Sequence, residues 1–290
     1  MRGKIILILT IFMAFQTMGQ ADTSATGGYH LPPYRRLSDI RYAKTDPNQE
    51  MDAYIPLEYD SARVIVYIHG GGWSGGDKES DLPKEVIEEL VGKRKYILVT
   101  MNYRLVENGK NLFPAQIEDI QKVLTLLTSN AKKYNYNGSQ FALMGGSAGG
   151  HLAMLYAYGF DSAKKIKTVV DFWGPTDLSD KTVRAENKDA DEKVVALLGN
   201  PDPQAQICKD ASPYYRVTKE TGVPTILFHG GEDPLVNYTQ AEKMYKKLLS
   251  LGIPAQYEFY PHEKHGMGPE AAADVFKKMM VWLEKYYPAK

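Results

Sequence analysis

The stretch Phe141-Ala-Leu-Met-Gly-Gly-Ser-Ala-Gly-Gly-His151 constrains this chain more than any other. Its apolar run reads as a buried strand, and Leu152 to Tyr158 read as a helix. The chain must therefore reverse at Ser147 within about two residues. A strand that turns into a helix so abruptly forces a strained backbone at its apex. It also needs small residues on both flanks, which Gly145, Gly146, Ala148 and Gly149 supply. The Ser147 hydroxyl then stands proud of a sheet edge, within reach of a base and of backbone donors. A tight structural turn is the bland alternative, so the rest of the chain must decide.

The flanking pattern predicts strands alternating with helices. Strands are expected at Ile40–Lys44, Met51–Ile55, Arg63–Ile68, Tyr96–Met101, Ile166–Phe172, Pro224–Phe228 and Ala255–Tyr260, besides the one at Phe141. Helices are expected at Leu82–Gly92, from Pro114 to about Asn130, at Thr239–Leu251 and at Ala271–Tyr287. Turn chemistry at Thr45-Asp-Pro-Asn48 makes the first two strands an antiparallel hairpin. The remainder implies an α/β fold: a mostly parallel sheet with helices on both faces. Between residues 174 and 222 the alternation breaks, with Pro175, Pro201, Pro203, Pro213 and a short helical patch at Val194–Leu198. A segment this long after the sixth strand is expected to cover a site as a cap or lid. Residues 22–290 read as one domain carrying that insert.

With 290 residues, 43% of them hydrophobic and 24% charged, the chain can bury a large core. Lys and Arg balance Asp and Glu at 35 each, so there is no basic field to attract a nucleic acid. Residues 1–21 read as an export signal. Arg2 and Lys4 precede an apolar run from Ile5 to Phe15, and Gly19-Gln-Ala21 offers small residues to a signal peptidase. No cysteine lies near its end for a lipid anchor, so a periplasmic or extracellular protein without a stable membrane anchor is expected. The single cysteine, Cys208, cannot form an intramolecular disulfide and reads as a small buried residue.

Directly after the strongest strand comes His69-Gly-Gly-Gly-Trp73. Adjacent glycines leave backbone N–H groups unshielded, so a developing oxyanion can approach them closely. Gly71 and Gly72, with Ala148 after the serine, are the candidate donors. His69 is expected to brace this loop. Downstream, Asp233 in His229-Gly-Gly-Glu-Asp233 sits after a parallel strand, where side chains point into a ligand crevice. It is the candidate to orient an imidazole, with Glu232 as its neighbour and competitor. His265, before Gly266, is the candidate base, with His262 as competitor. Trp73 and Trp173 are candidate platforms for a sugar or aryl group, with core packing as their other reading. The glycines lack both a P-loop lysine and a Rossmann acidic partner, and no metal-ligand cluster is evident. No cofactor and no metal are expected.

The order Ser, Asp, His is one that acyl-transferring serine enzymes use. From about Met51 onward the sequence resembles the α/β-hydrolase superfamily. Within it, the chain is similar to the HGGG-bearing esterases of the hormone-sensitive-lipase-like and bifunctional feruloyl/acetyl-xylan esterase groups. The resemblance rests on residues 69–77, Asn102-Tyr-Arg-Leu105, Phe113-Pro-Ala-Gln116 with Asp119, Gly145–Gly150, Pro175-Thr-Asp177, His229–Asp233 and His265-Gly266. It implies a serine esterase with Ser147, Asp233 and His265 as triad. The substrate it implies is a small-molecule or oligosaccharide ester bearing an acetyl or feruloyl group. Many hormone-sensitive-lipase-like members carry a longer N-terminal helical cap, and its absence here favours the carbohydrate-esterase-like branch with a more open site. A general short-chain carboxylesterase is the nearest alternative. A peptidase of the prolyl-oligopeptidase type and a non-catalytic binder are the remaining ones.

Overall fold

A computed structural model describes residues 33–80, 82–184 and 186–289. The expected export signal lies outside the described residues. Among them, eight strands form one sheet in the order β1-β2-β4-β3-β5-β6-β7-β8. These are β1 Tyr34–Arg41, β2 Glu50–Pro56, β3 Ala62–Ile68, β4 Ile97–Met101, β5 Tyr136–Gly146, β6 Ile166–Phe172, β7 Thr225–Gly230 and β8 Ala255–Tyr260. β2 pairs antiparallel with both β1 and β4, and every pairing from β4 across to β8 is parallel. The expected α/β fold, with its antiparallel edge hairpin, is what forms.

The continuous apolar run of β3 is explained by a core on each side of the sheet. Val64, Val66 and Ile68 face one core, while Ile65 and Tyr67 face the other. In β5, Phe141 and Leu143 likewise oppose Ala142 and Met144. On the first face pack α2 (Ala115–Tyr134), α3 (Ala148–Gly159) and α7 (Thr239–Ser250), through residues such as Ile120, Leu152 and Met244. On the second pack α1 (Lys84–Ile87) and α8 (Pro269–Tyr286), through Val86, Val275 and Leu283. Trp282 of α8 also donates from Nε1 to Thr168 Oγ1 at 2.8 Å, which pins that helix to β6.

Two elements differ from their expected form. The helix expected over Leu82–Gly92 makes only one α turn before widening into a π turn at Glu88–Lys93, closed by Arg94 N–H donating to the Glu89 carbonyl at 2.9 Å. The wider turn brings Gly92 against Pro33, where a Cβ would lie 2.7 Å from the proline ring. The first strand lies earlier than Ile40–Lys44. Most of β1 is exposed or half-buried, so its sequence carries little apolar alternation. Its register is held instead by a bulge between Leu37 and Ile40, where Asp39 N–H donates to the buried Asp52 carboxylate at 2.9 Å.

Between β6 and β7 the chain forms α4 (Lys188–Leu198), α5 (Gln206–Asp210) and α6 (Pro213–Arg216). Arg184 is the centre of this segment. Its guanidinium donates to Asp191, to the Pro201 carbonyl at 2.8 Å and to Cys208 Sγ at 3.3 Å. Cys208 is a free, fully buried thiol, and burial pushes its pKa up. Among the described residues, no helix is long and apolar enough to cross a membrane.

Candidate active site

The end of β5 and the start of α3 meet at Ser147, whose backbone sits at φ 53° and ψ −119°. An L-residue adopts such a conformation only when its surroundings impose it. Here Ser147 N–H donates to the Phe172 carbonyl at 2.8 Å, and its own carbonyl accepts from His151 N–H at 3.0 Å. The first turn of α3 also presses against the end of β3. A Cβ at Gly149 would lie 2.0 Å from the Ile68 carbonyl oxygen, so only glycine fits that approach.

Three side chains from separate loops converge there. His265 Nε2 lies 2.9 Å from Ser147 Oγ, and His265 Nδ1 lies 2.8 Å from Asp233 Oδ2. The carboxylate can only accept from Nδ1–H when ionised, which leaves Nε2 free to take the serine proton. Asp233 is held firmly: its Oδ1 accepts from the N–H groups of Leu235 and Val236 at 2.8 and 2.9 Å. Burial alone would push this carboxyl up. Two imidazoles, His229 at 3.4 Å and His265 hydrogen-bonded at 2.8 Å, outweigh burial and hold it below the usual carboxylate range. The competitors stand apart, with His262 and Glu232 facing one another at 3.4 Å in side chains that are 89% and 54% exposed.

The glycine loop follows β3. Gly71 has φ 110°, and a Cβ there would collide with the Gly75 carbonyl oxygen at 2.2 Å. Its own carbonyl accepts from the N–H groups of Ser74 and Gly75, closing the turn. Gly72 also has a left-handed φ, 59°, and Ala148 opens α3, where N–H groups have no partner within the helix. His69 braces the loop from below, stacked on Tyr103 with ring centroids 4.3 Å apart.

Trp73 requires a correction. It is 4% exposed and packs in the core, and its Nε1–H donates to His151 Nδ1 at 3.2 Å. Its ring is therefore committed to packing and has no face open to a ligand. His151 completes the link with Nε2–H donating to the Ala211 carbonyl at 2.7 Å, so one buried imidazole ties the glycine loop to the end of α5. Burial pushes His151 down to about 4, so the ring is neutral. Trp173 lies beside the triad, edge-on to the His265 ring at 6.2 Å, but it too is buried and packs in the second core.

Helix α4 joins both sides of the site. At its N-cap, Asn187 donates to the carbonyls of Pro234 and Leu235 at 2.9 and 3.1 Å, in the loop carrying Asp233. Near its middle, Lys193 donates to Ser74 Oγ at 3.0 Å, and a Cβ on Gly72 would touch the Lys193 stem at 3.0 Å. No sequence motif marks these two residues, because their partners lie far away in the chain. His229 and His151 carried a signal: each is a polar residue ending or following an apolar run. Among the described residues, no group of three or more His, Cys, Asp or Glu could hold a metal ion.

Comparison with known proteins agrees with this architecture. The chain is similar to the probable carboxylic ester hydrolase LipM of Mycobacterium tuberculosis, 26% identical over 274 residues, covering 88% of this chain and 62% of LipM. It thus spans less than two thirds of that relative's length. A solved structure described as a truncated form of carbohydrate esterase from gut microbiota superposes with TM-score 0.75 at 21% identity, covering 89% of this chain and 99% of that one. An acetyl ester-xyloside bifunctional hydrolase from Caldicellulosiruptor lactoaceticus superposes with TM-score 0.66 at 23% identity, covering 81% and 87%. At these identities the two structures speak to fold alone. Residues 51–248 match the BD-FAE family, more than half of the chain, so with its parallel sheet and serine elbow the protein belongs to the BD-FAE family of α/β-hydrolases.

Proposed function

We propose that this protein is a serine carboxylic-ester hydrolase that works through an acyl-enzyme. The observation that carries the reading is the continuous relay from Ser147 Oγ through His265 to Asp233. Ser147 attacks the ester carbonyl as His265 Nε2 takes its proton, and the carbonyl oxygen becomes an oxyanion facing the amides of Gly71, Gly72 and Ala148. The oxyanion collapses, His265 returns the proton to the departing alcohol, and the acyl group stays on Ser147. A water deprotonated by the same imidazole then releases the acid and restores the serine. Asp233 holds His265 in the required tautomer and stabilises the imidazolium. A chain this dependent on a precise relay should lose hydrolysis of p-nitrophenyl acetate in Ser147→Ala, and a fluorophosphonate should label Ser147 in the wild type. A wild-type protein inert to both reagents overturns the reading.

The substrate proposed is an acetyl or feruloyl ester on a plant polysaccharide fragment, acted on by an exported enzyme. Family membership supports it, and the two neighbours, whose likeness bears on fold, are themselves described as a carbohydrate esterase and an acetyl ester-xyloside hydrolase. The name of LipM favours a general short-chain carboxylesterase instead. A panel of acetylated and feruloylated xylo-oligosaccharides separates the two, since a general esterase cleaves small aryl esters and releases neither acid from the sugars. The export part is tested by sequencing the N-terminus of protein recovered outside the cytoplasm, where processing after Ala21 is expected.

A further inference from the structure

We infer that His229 is a positioning residue that sets how Asp233 holds His265, an inference that rests on the ester-hydrolase reading above. His229 lies on β7, four residues before Asp233, and is fully buried. Its Nε2 is 2.8 Å from the Val236 carbonyl oxygen, which can only accept, so Nε2 carries the proton. The same Nε2 is 3.4 Å from Asp233 Oδ2, the oxygen that also accepts the hydrogen bond from His265 Nδ1–H. His229 Nδ1 has no hydrogen-bond partner and is shielded from water. An imidazole kept at such a cost in buried polarity is there for its Nε2–H.

The hydrogen bonds explain what that N–H does. Val236 gives its N–H to Asp233 Oδ1 and its carbonyl to His229, so His229 grips the turn that grips the carboxylate. At 3.4 Å the same N–H also faces Oδ2, a second and longer electrostatic contact beside the hydrogen bond from His265. Among the described residues, the titratable groups set against the Asp233 carboxylate are these two imidazoles. Removing His229 should leave Oδ2 to His265 alone, in a carboxylate free to rock about its Cβ.

Two substitutions separate this role from packing. His229→Phe keeps a ring of similar size and removes both nitrogens, whereas His229→Gln keeps an N–H donor at similar reach. The first readout needs no substrate: the low-field proton resonance of His265 Nδ1–H, assigned by its loss in His265→Gln. It should shift in His229→Phe and return toward its wild-type position in His229→Gln. On p-nitrophenyl acetate, His229→Phe should lower kcat by about 10- to 100-fold with KM nearly unchanged, and His229→Gln should recover most of the loss. A resonance and a kcat unmoved in His229→Phe, or Gln no better than Phe, each sinks the role of His229 while leaving ester hydrolysis standing. A wild-type protein with neither hydrolysis nor labelling of Ser147 sinks the reading of the site, and the positioning role with it.

Discussion

Ser147 and His265 are 118 residues apart in the chain, yet the hydroxyl of one lies 2.9 Å from the imidazole of the other. The parallel sheet accounts for this. β5, β7 and β8 all end at the same edge, so the loops leaving them meet above it. Ser147 nevertheless holds a backbone conformation that costs stability. Ser147→Gly should abolish hydrolysis, by on the order of 10⁵-fold or more in kcat, and should unfold at higher denaturant by about 1 kcal/mol because the strain is relieved. Urea titration of both proteins checks this, and Ser147→Ala should show no comparable gain because it keeps the Cβ.

Asp233→Asn should preserve the fold and lower kcat by about 10⁴-fold, since the amide favours the wrong tautomer of His265. The pH dependence of stability has a definite sign. The folded carboxyl is held below the ordinary carboxylate range, so its stabilising effect is complete above about pH 4–5 and fades as pH falls through the depressed value. The Tm advantage of wild type over Asp233→Asn should therefore shrink below about pH 4.

Asp171 on β6 should behave in the opposite sense. It is fully buried, its Oδ1 accepts from Gly174 N–H at 3.1 Å, and its Oδ2 has no partner. Burial pushes its pKa well above the ordinary value, against the smaller opposing pull of the Gly174 amide. The folded state then binds a proton that the unfolded state has released. Wild-type stability should fall with rising pH above about pH 4, by at most about 1.4 kcal/mol per unit, until the folded carboxyl ionises. Asp171→Asn lacks that dependence, so its Tm advantage should be larger at pH 8 than at pH 5.

Trp73→Phe should cost about 1–3 kcal/mol, because it leaves His151 Nδ1 buried without its donor. KM for a small aryl ester should stay close to the wild-type value. A large rise in KM with unchanged stability would return Trp73 to the ligand.

Much of this was legible in the letters, for identifiable reasons. β3 and β5 carry unbroken apolar runs because each faces two cores, and such runs are hard to misread. Ser147, Asp233 and His265 sit where strands end, so a sequence that marks its strands also marks its loops. β1 was misplaced because its half-exposed residues obey no period, and its pairing is set by the bulge. Trp73 was misjudged because adjacency to a loop does not say which way an indole turns. Its direction is fixed by His151, 78 positions later. Asn187 and Lys193 left no trace, since a lone hydrogen bond to a remote partner imposes no spacing.

The two attachments of α4 carry an implication for how such a site can vary. Asn187 reaches the loop that carries Asp233 and Lys193 reaches Ser74, so the helix links the two loops like a beam resting on both. The sheet does not dictate the length of the segment that holds this beam. Exchanging residues 174–222 for a differently shaped stretch that keeps both footings would change what stands beside the two loops while leaving the Ser147–His265–Asp233 relay where it is.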